Sequence, residues 1–154
     1  AMPHYAIWDD HDYGWNDGDM SYPFKKQSRE VFKSFWLNLS YGNNGEGIYS
    51  KFTWNDVDVF LLDDRSYRSN DDMADSVNGK PNPEKQMFGK EQITWLKNAL
   101  LQSKTNANIR FRIIATGSQV LNPASPYDCF RRFPAEYNEF IQFLPDNKIK
   151  SMVK

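Results

Sequence analysis

Three polar clusters in this chain hold the residue types that acid–base, metal or phosphate chemistry needs. The first is Asp9-Asp10-His11-Asp12, inside IWDDHDYGWNDGD (7–19), which carries five aspartates and one of the two histidines. The second, Asp63-Asp64-Arg65 with Arg68, follows the apolar run VDVFLL. The third, Ser118, Gln119 and Asn122, follows RFRIIATG.

Crowded carboxylates repel, and each raises the pKa of the next. A bound cation removes that cost. Oxygen donors favour Ca²⁺, Mg²⁺ or Mn²⁺, and an added imidazole admits iron or zinc. Such a cation polarises a phosphoryl oxygen and acidifies water. An arginine at a neighbouring strand end suits a phosphate through paired hydrogen bonds. A histidine beside them can protonate a leaving oxygen. Together these parts describe phosphate ester hydrolysis.

Each part also has an ordinary structural explanation. An acidic loop serves as solvated turn or helix cap, Asp63 as a turn cap, and Arg65 and Arg68 as surface ion pairs. The loop does not fit an EF-hand, because Gly14 stands where a third ligand is needed. A single Ca²⁺ held by loop 9–19 in a non-catalytic module is the alternative function.

The clusters meet only if the elements before them share a sheet, since ligands gather beyond the carboxyl ends of strands in α/β folds. Residues 4–8 read as a strand. Ser28 reads as the cap of a helix with Val31, Phe32, Phe35, Trp36 and Leu39 as its stripe. Residues 48–54 and 57–62 read as strands joined at Asn55-Asp56. The second is apolar enough to lie centrally, buried on both faces. Residues 69–87 read as a long loop. A helix (89–103), a strand (110–117), a loop (118–133), a helix opened by Pro134 (134–144) and the start of a strand (148–153) complete the chain. The alternation predicts a layered α/β fold. Both ends read as cut, although ordinary edge strands would read the same way.

The 154 residues suggest one domain, and 16% aromatic content supplies a real core. With 19 basic and 20 acidic residues, no electrostatic pull toward nucleic acid or membrane is expected. Cys129 is the only cysteine, so no internal disulfide forms. No apolar run approaches the length of a membrane span.

WDDHDYGWND (8–17) resembles the Trp-Asp-Asp-His-Asp/Glu run, with a following Asn, of the PhoD-like alkaline phosphatases among the calcineurin-like metallophosphoesterases. FLLDDRSYRS (60–69) is similar to that family's Leu-Asp-x-Arg-x-Tyr-Arg segment. FGKEQITWLKNALLQS (88–103) and IATGSQVLNP (114–123) match its next helix and the strand and turn after it.

The resemblance implies part of a metallophosphoesterase-type β-sandwich flanked by helices, truncated at both ends, as one partial domain over 1–154. It implies a metal-dependent hydrolase of phosphate esters, with calcium and iron as a known metal pairing and an extracytoplasmic location for some members. Carried over by position, Asp10 is a metal ligand, with Asp9 and Asn16 as further candidates. His11 assists the leaving group, Arg65 contacts phosphate, and Asp63 orients Arg65. Gln119 and Asn122 complete the substrate-binding candidates. The family's early Gly-Asp and late Gly-Asp-x-His metal-binding segments are not found here, so the chain alone is expected to be inactive.

Overall fold

The computed structural model describes residues 3–42, 46–122, 124, 128–149 and 152–153. Its main sheet has four strands: β1 (Ser50–Trp54), β2 (Val57–Leu61), β5 (Phe111–Ala115) and β6 (Met152–Val153), in the order β1-β2-β5-β6. β1 and β2 form the expected antiparallel hairpin, with Trp54 opposite Val57. Asn55 takes the left-handed backbone (φ 51°) that a two-residue hairpin loop requires.

β2 pairs in parallel with β5, and β5 with β6. The chain crosses from β2 to β5 through α3 (Gly89–Thr105) and reaches β6 through α4 (Pro134–Asp146). The parallel pairing decides the site, because it brings the residues after β2 and after β5 to the same edge of the sheet.

One sheet face carries the core. Phe60, Leu62 and Ile114 pack with Ile93, Leu96 and Leu100 of α3, Phe140 of α4, and Phe88, Phe130 and Phe133 from the connections. The period-3.6 spacing along α3 puts these residues on one stripe. Glu136, buried in the first turn of α4, accepts the backbone N–H groups of Met87 (2.8 Å) and Phe88 (3.0 Å), which ties the two helix starts together. Gly89 has φ 78°, and a Cβ there would meet the Tyr67 side chain at 2.9 Å.

The opposite face is less covered. Phe52, Trp54, Val57, Val59, Phe111 and Ile113 alternate onto it, and Trp54 and Phe111 are exposed. Tyr5 stacks on Phe52 with ring centroids 3.9 Å apart. β2 is therefore central, as expected; its core face is fully buried, and on the other face Leu61 is buried while Val57 and Val59 are half-buried.

Several local expectations change. Residues 4–8 pair with no strand among the described residues. Instead the amide side chain of Asn38 donates to Ala6 O (2.8 Å) and accepts from Ala6 N (3.1 Å), replacing a strand partner. The first long helix, α2, runs Lys25–Phe35, so Ser28 lies inside it, and Trp36 and Leu39 lie beyond it. Of the anticipated stripe only Phe32 is buried, and it packs with Trp8, Tyr13 and Ile48 in a second small cluster. The 69–87 excursion contains a short hairpin, β3 (Ser76–Val77) and β4 (Lys80–Pro81), turning at Asn78-Gly79 with φ 53° and 71°. Residues 150 and 151, within the last expected strand, lie outside the described residues.

Candidate active site

The acidic loop is organised by a short helix, α1 (Asp10–Tyr13), that the turn-rich composition conceals. Asp9 caps it, with Asp12 returning to the Asp9 backbone N–H in a capping box. Capping leaves the Asp9 carboxylate able to reach across the fold. It accepts the Arg65 Nε–H at 3.0 Å and a second bond from Arg65 Nη2. Gly117 permits the approach, since a Cβ there would lie 2.8 Å from Asp9 Cβ and from Trp8 O.

Arg65 is therefore the meeting point of all three clusters. Its side chain is wholly buried. Besides Asp9, Nη2 donates to Asp128 Oδ2 at 2.5 Å and approaches Ser118 Oγ at 3.5 Å. Burial works against its charge, but Asp64, Asp128 and Asp9 outweigh burial and hold its pKa above the ordinary arginine value.

Arg68, also buried, places its guanidinium 4.8 Å from the Phe133 ring centre. It pairs with Asp71 at 2.9 Å and with Asp128 Oδ1 at 2.7 Å. A buried arginine with several carboxylate partners differs from the exposed ion pair that either residue suggests in isolation.

Asp63 and Asp64 divide the work at the end of β2. Asp63 Oδ1 accepts the Trp8 indole N–H (2.8 Å) and the backbone N–H groups of Arg65 (3.1 Å) and Ser66 (3.0 Å). Its Oδ2 accepts Ile48 N (2.8 Å) and Ser66 Oγ (2.6 Å). Asp63 thus fixes the turn that carries Arg65, acting on its backbone and not on its guanidinium. Asp64 Oδ2 accepts Ser118 N (2.6 Å) and Ser118 Oγ (2.5 Å), joining the exits of β2 and β5. Its Oδ1 has no hydrogen-bond partner among the described residues, and burial pushes its pKa up to about 7.

His11 lies at the surface, with its side chain 76% exposed. Its Nε2 is 3.0 Å from Asn16 Oδ1 and 3.6 Å from Asp10 Oδ2. The Asn16 hydrogen bond, followed by the Asp10 charge, raises its pKa. Partial burial pushes Asp10 up, but the backbone N–H groups of Asp17 and His11 outweigh it and lower its pKa. Gln119 and Asn122 are exposed and bond to each other at 2.6 Å, with no bond among the described residues to Arg65 or His11.

The residues present do not by themselves make a metal centre. Asp9 is bound to Arg65, and Asp19 is taken up by Ser21 N (2.7 Å) and Asn70 (3.0 Å). Among the described residues no group of three or more His, Cys, Asp or Glu is arranged to hold an ion. Nor is any described helix long and apolar enough to cross a membrane. The residue that sequence reasoning missed is Asp128. It lies in an irregular stretch with no periodicity, and only the closing of that stretch through Phe130 N to Gln119 O (2.8 Å) brings it to the arginines.

Known proteins resemble this chain in sequence and fold. Alkaline phosphatase D of Bacillus subtilis (strain 168) is 29% identical over 178 residues, covering 99% of this chain and 30% of that protein. A solved structure described as "Structure of PhoD" superposes with a TM-score of 0.65 at 23% identity, over 95% of this chain and 32% of that one. At that identity the likeness is one of fold, and the four-stranded sheet with its helices matches a portion of that larger structure. The chain thus spans about a third of the length of the relatives it matches. The family model for PhoD-like phosphatase matches residues 1–153, and on that match the chain belongs to the PhoD-like phosphatase family.

Proposed function

We propose that residues 1–154 are one partial domain of a metal-dependent phosphoric ester hydrolase and are inactive by themselves. The observation that carries this reading is the convergence on Arg65. One guanidinium gathers the acidic loop, the β2 exit and the β5 exit, in a chain whose family is that of phosphatases. In the reaction Arg65 contacts the phosphate, held in place by the Asp63 turn. His11, whose pKa is raised by the Asn16 hydrogen bond and the Asp10 charge, gives its proton to the leaving oxygen. Asp10 and Asn16 would be this chain's share of a metal site whose pairing by resemblance is calcium with iron; the Asp9 carboxylate, which the resemblance also offered, is held by Arg65 instead. Gln119 and Asn122 border the substrate.

The alternative, a calcium-binding module built on loop 9–19, needs oxygens that the structure has engaged elsewhere. Asp9 serves Arg65, and Asp19 serves Ser21 and Asn70.

The test is hydrolysis of an aryl phosphate with Ca²⁺, Fe³⁺, Mn²⁺ or Zn²⁺, supplied singly and in pairs. The 154-residue chain is compared with a chimera in which it replaces the matched segment of the Bacillus subtilis relative. Metal-dependent turnover in the chimera, lost with Arg65→Lys, is expected. A chimera that folds and never turns over would remove the hydrolase reading. Turnover by the short chain above a His11→Ala control would remove the claim that it is inactive alone.

A further inference from the structure

We infer that Arg65 and Arg68 form a two-guanidinium oxyanion site in which the Asp128 carboxylate sits where a phosphate group would bind. The inference deepens the phosphate-contact role proposed for Arg65 and rests on it.

The geometry is that of a bridged anion. Asp128 Oδ2 takes Arg65 Nη2 at 2.5 Å, and its Oδ1 takes Arg68 Nη2 at 2.7 Å. The two arginine side chains are 0% and 1% exposed, whereas that of Asp128 is 26% exposed. The carboxylate therefore reaches the pair from the solvent side, the side from which a dissolved anion arrives.

Arg68 also retains two donors, Nε and Nη1, that are buried and have no hydrogen-bond partner among the described residues. An unmade bond from a buried charged group is costly. A carboxylate has only two oxygens and both already face a guanidinium. A phosphate monoester presents three oxygens and up to two negative charges, so it can take the same two Nη2 groups and one of the vacant donors as well.

Of the two carboxylates hydrogen-bonded to Arg65, Asp128 is the one free to yield. Asp9 is also the cap of α1, and its Oδ1 accepts Asp10 N at 2.9 Å. Among the described residues, Asp128 makes side-chain bonds only to the two arginines and, at 3.3 Å, to Ser118 Oγ. Rotation of one side chain exchanges the internal anion for an external one. The exchange keeps a buried guanidinium pair neutralised in the absence of ligand.

The test is a titration of the ¹⁵N-labelled chain, without metal, followed at the arginine Nε–Hε signals. Inorganic phosphate, phenyl phosphate and sulfate are added separately. Phosphate is expected to move the Arg65 and Arg68 signals together, and Asp128→Asn to tighten binding about tenfold by removing the competing charge. Adding Arg68→Gln to Asp128→Asn should abolish that gain. A dispersed amide spectrum certifies that each variant folds, and Asp128→Ser serves if Asp128→Asn does not. Phenyl phosphate binding as well as inorganic phosphate marks an ester site, and inorganic phosphate alone marks a product site; either supports the exchange. Equal binding of sulfate would identify a general oxyanion site and also support it. A folded Asp128 variant that binds phosphate no more tightly than the unsubstituted chain overturns the inference. Anion binding without turnover in any chimera would leave this site standing and remove the hydrolase reading; turnover without the anion response would do the reverse.

Discussion

Trp8 donates its indole N–H to Asp63 Oδ1 at 2.8 Å, across 55 positions of sequence. This bond fastens the residue before the acidic loop to the turn that carries Arg65. Both partners are buried, and Trp8 also packs against Tyr13 and Phe32. Replacing Trp8 by Phe keeps most of the packing and deletes one donor to a buried carboxylate. Hydrogen bonds to charged groups contribute about 1.5–3 kcal/mol, so Trp8→Phe should lower unfolding stability by about that amount in urea titration. A loss below about 0.5 kcal/mol, the range of surface substitutions, would show that Asp63 is held well enough by its other donors.

Gly117 presents a second test of how the loop is seated. Its φ is not in the left-handed region, so an alanine meets no backbone strain there. The obstacle is contact, because the added methyl would stand 2.8 Å from Asp9 Cβ and Cγ and from Trp8 O. Overpacking of this kind costs about 1–3 kcal/mol. The prediction is that Gly117→Ala both destabilises the chain and pushes Asp9 off Arg65. It is checked by unfolding together with the Arg65 Nε–Hε signal. An unchanged arginine signal would mean that the loop can shift as a body without losing the contact.

These two contacts mark the limit of what the sequence makes legible. The β1-β2 hairpin, α3, β5 and the Pro134 helix follow from apolar periodicity and turn residues, which are local properties. The parallel sense of β2 and β5, which joins Asp64 to Ser118, follows from a strand–helix–strand order. Residues 4–8 mislead because their apolar pattern suits a strand, yet the backbone N–H and C=O of Ala6 at their centre are taken by the Asn38 side chain 32 positions away. The α2 stripe misleads for a different reason. Helical spacing finds an apolar face but not what covers it, and Val31 and Phe35 remain exposed. His11, Arg65 and Asp63 could be singled out from motif spacing. Asp128 could not, since a lone aspartate in an irregular stretch carries no local mark of the two arginines it will meet.

Asp64 should imprint a pH dependence on stability. Its pKa in the folded chain is pushed up to about 7 by burial, against an ordinary value of 3.8. Folding therefore favours the protonated form. That contribution is fully present below pH 3.8 and is lost as pH rises through about 7. Glu136, also raised by burial, adds a loss of the same sign. Asp10, Asp58 and Asp75 are lowered and work in the opposite sense, but their contributions are already complete above the ordinary carboxylate range. Between about pH 5 and 7 the melting temperature of the unsubstituted chain should fall, and Asp64→Asn should flatten that fall. Parallel profiles for the two proteins would show that Asp64 is ionised in the fold across this range and that Arg65, 3.8 Å away, offsets its burial.

His11 and Asn16 supply the last prediction. Asn16 points its amide oxygen at His11 Nε2, 3.0 Å away, and its amide nitrogen at Asp17, so the imidazole is the donor in that pair. A donor that is held by an acceptor and faced by Asp10 keeps its proton to higher pH. Asn16→Ala should therefore lower the His11 pKa, read from the imidazole proton shifts during an NMR titration. In the chimera, His11→Ala should reduce kcat by about 10²–10⁴, the usual contribution of a general acid. A leaving group of low pKa needs no proton, so an activated aryl phosphate should lose less rate than an alkyl one. Equal losses on both substrates would mean that His11 acts on something other than the leaving oxygen, and the general-acid role would fall.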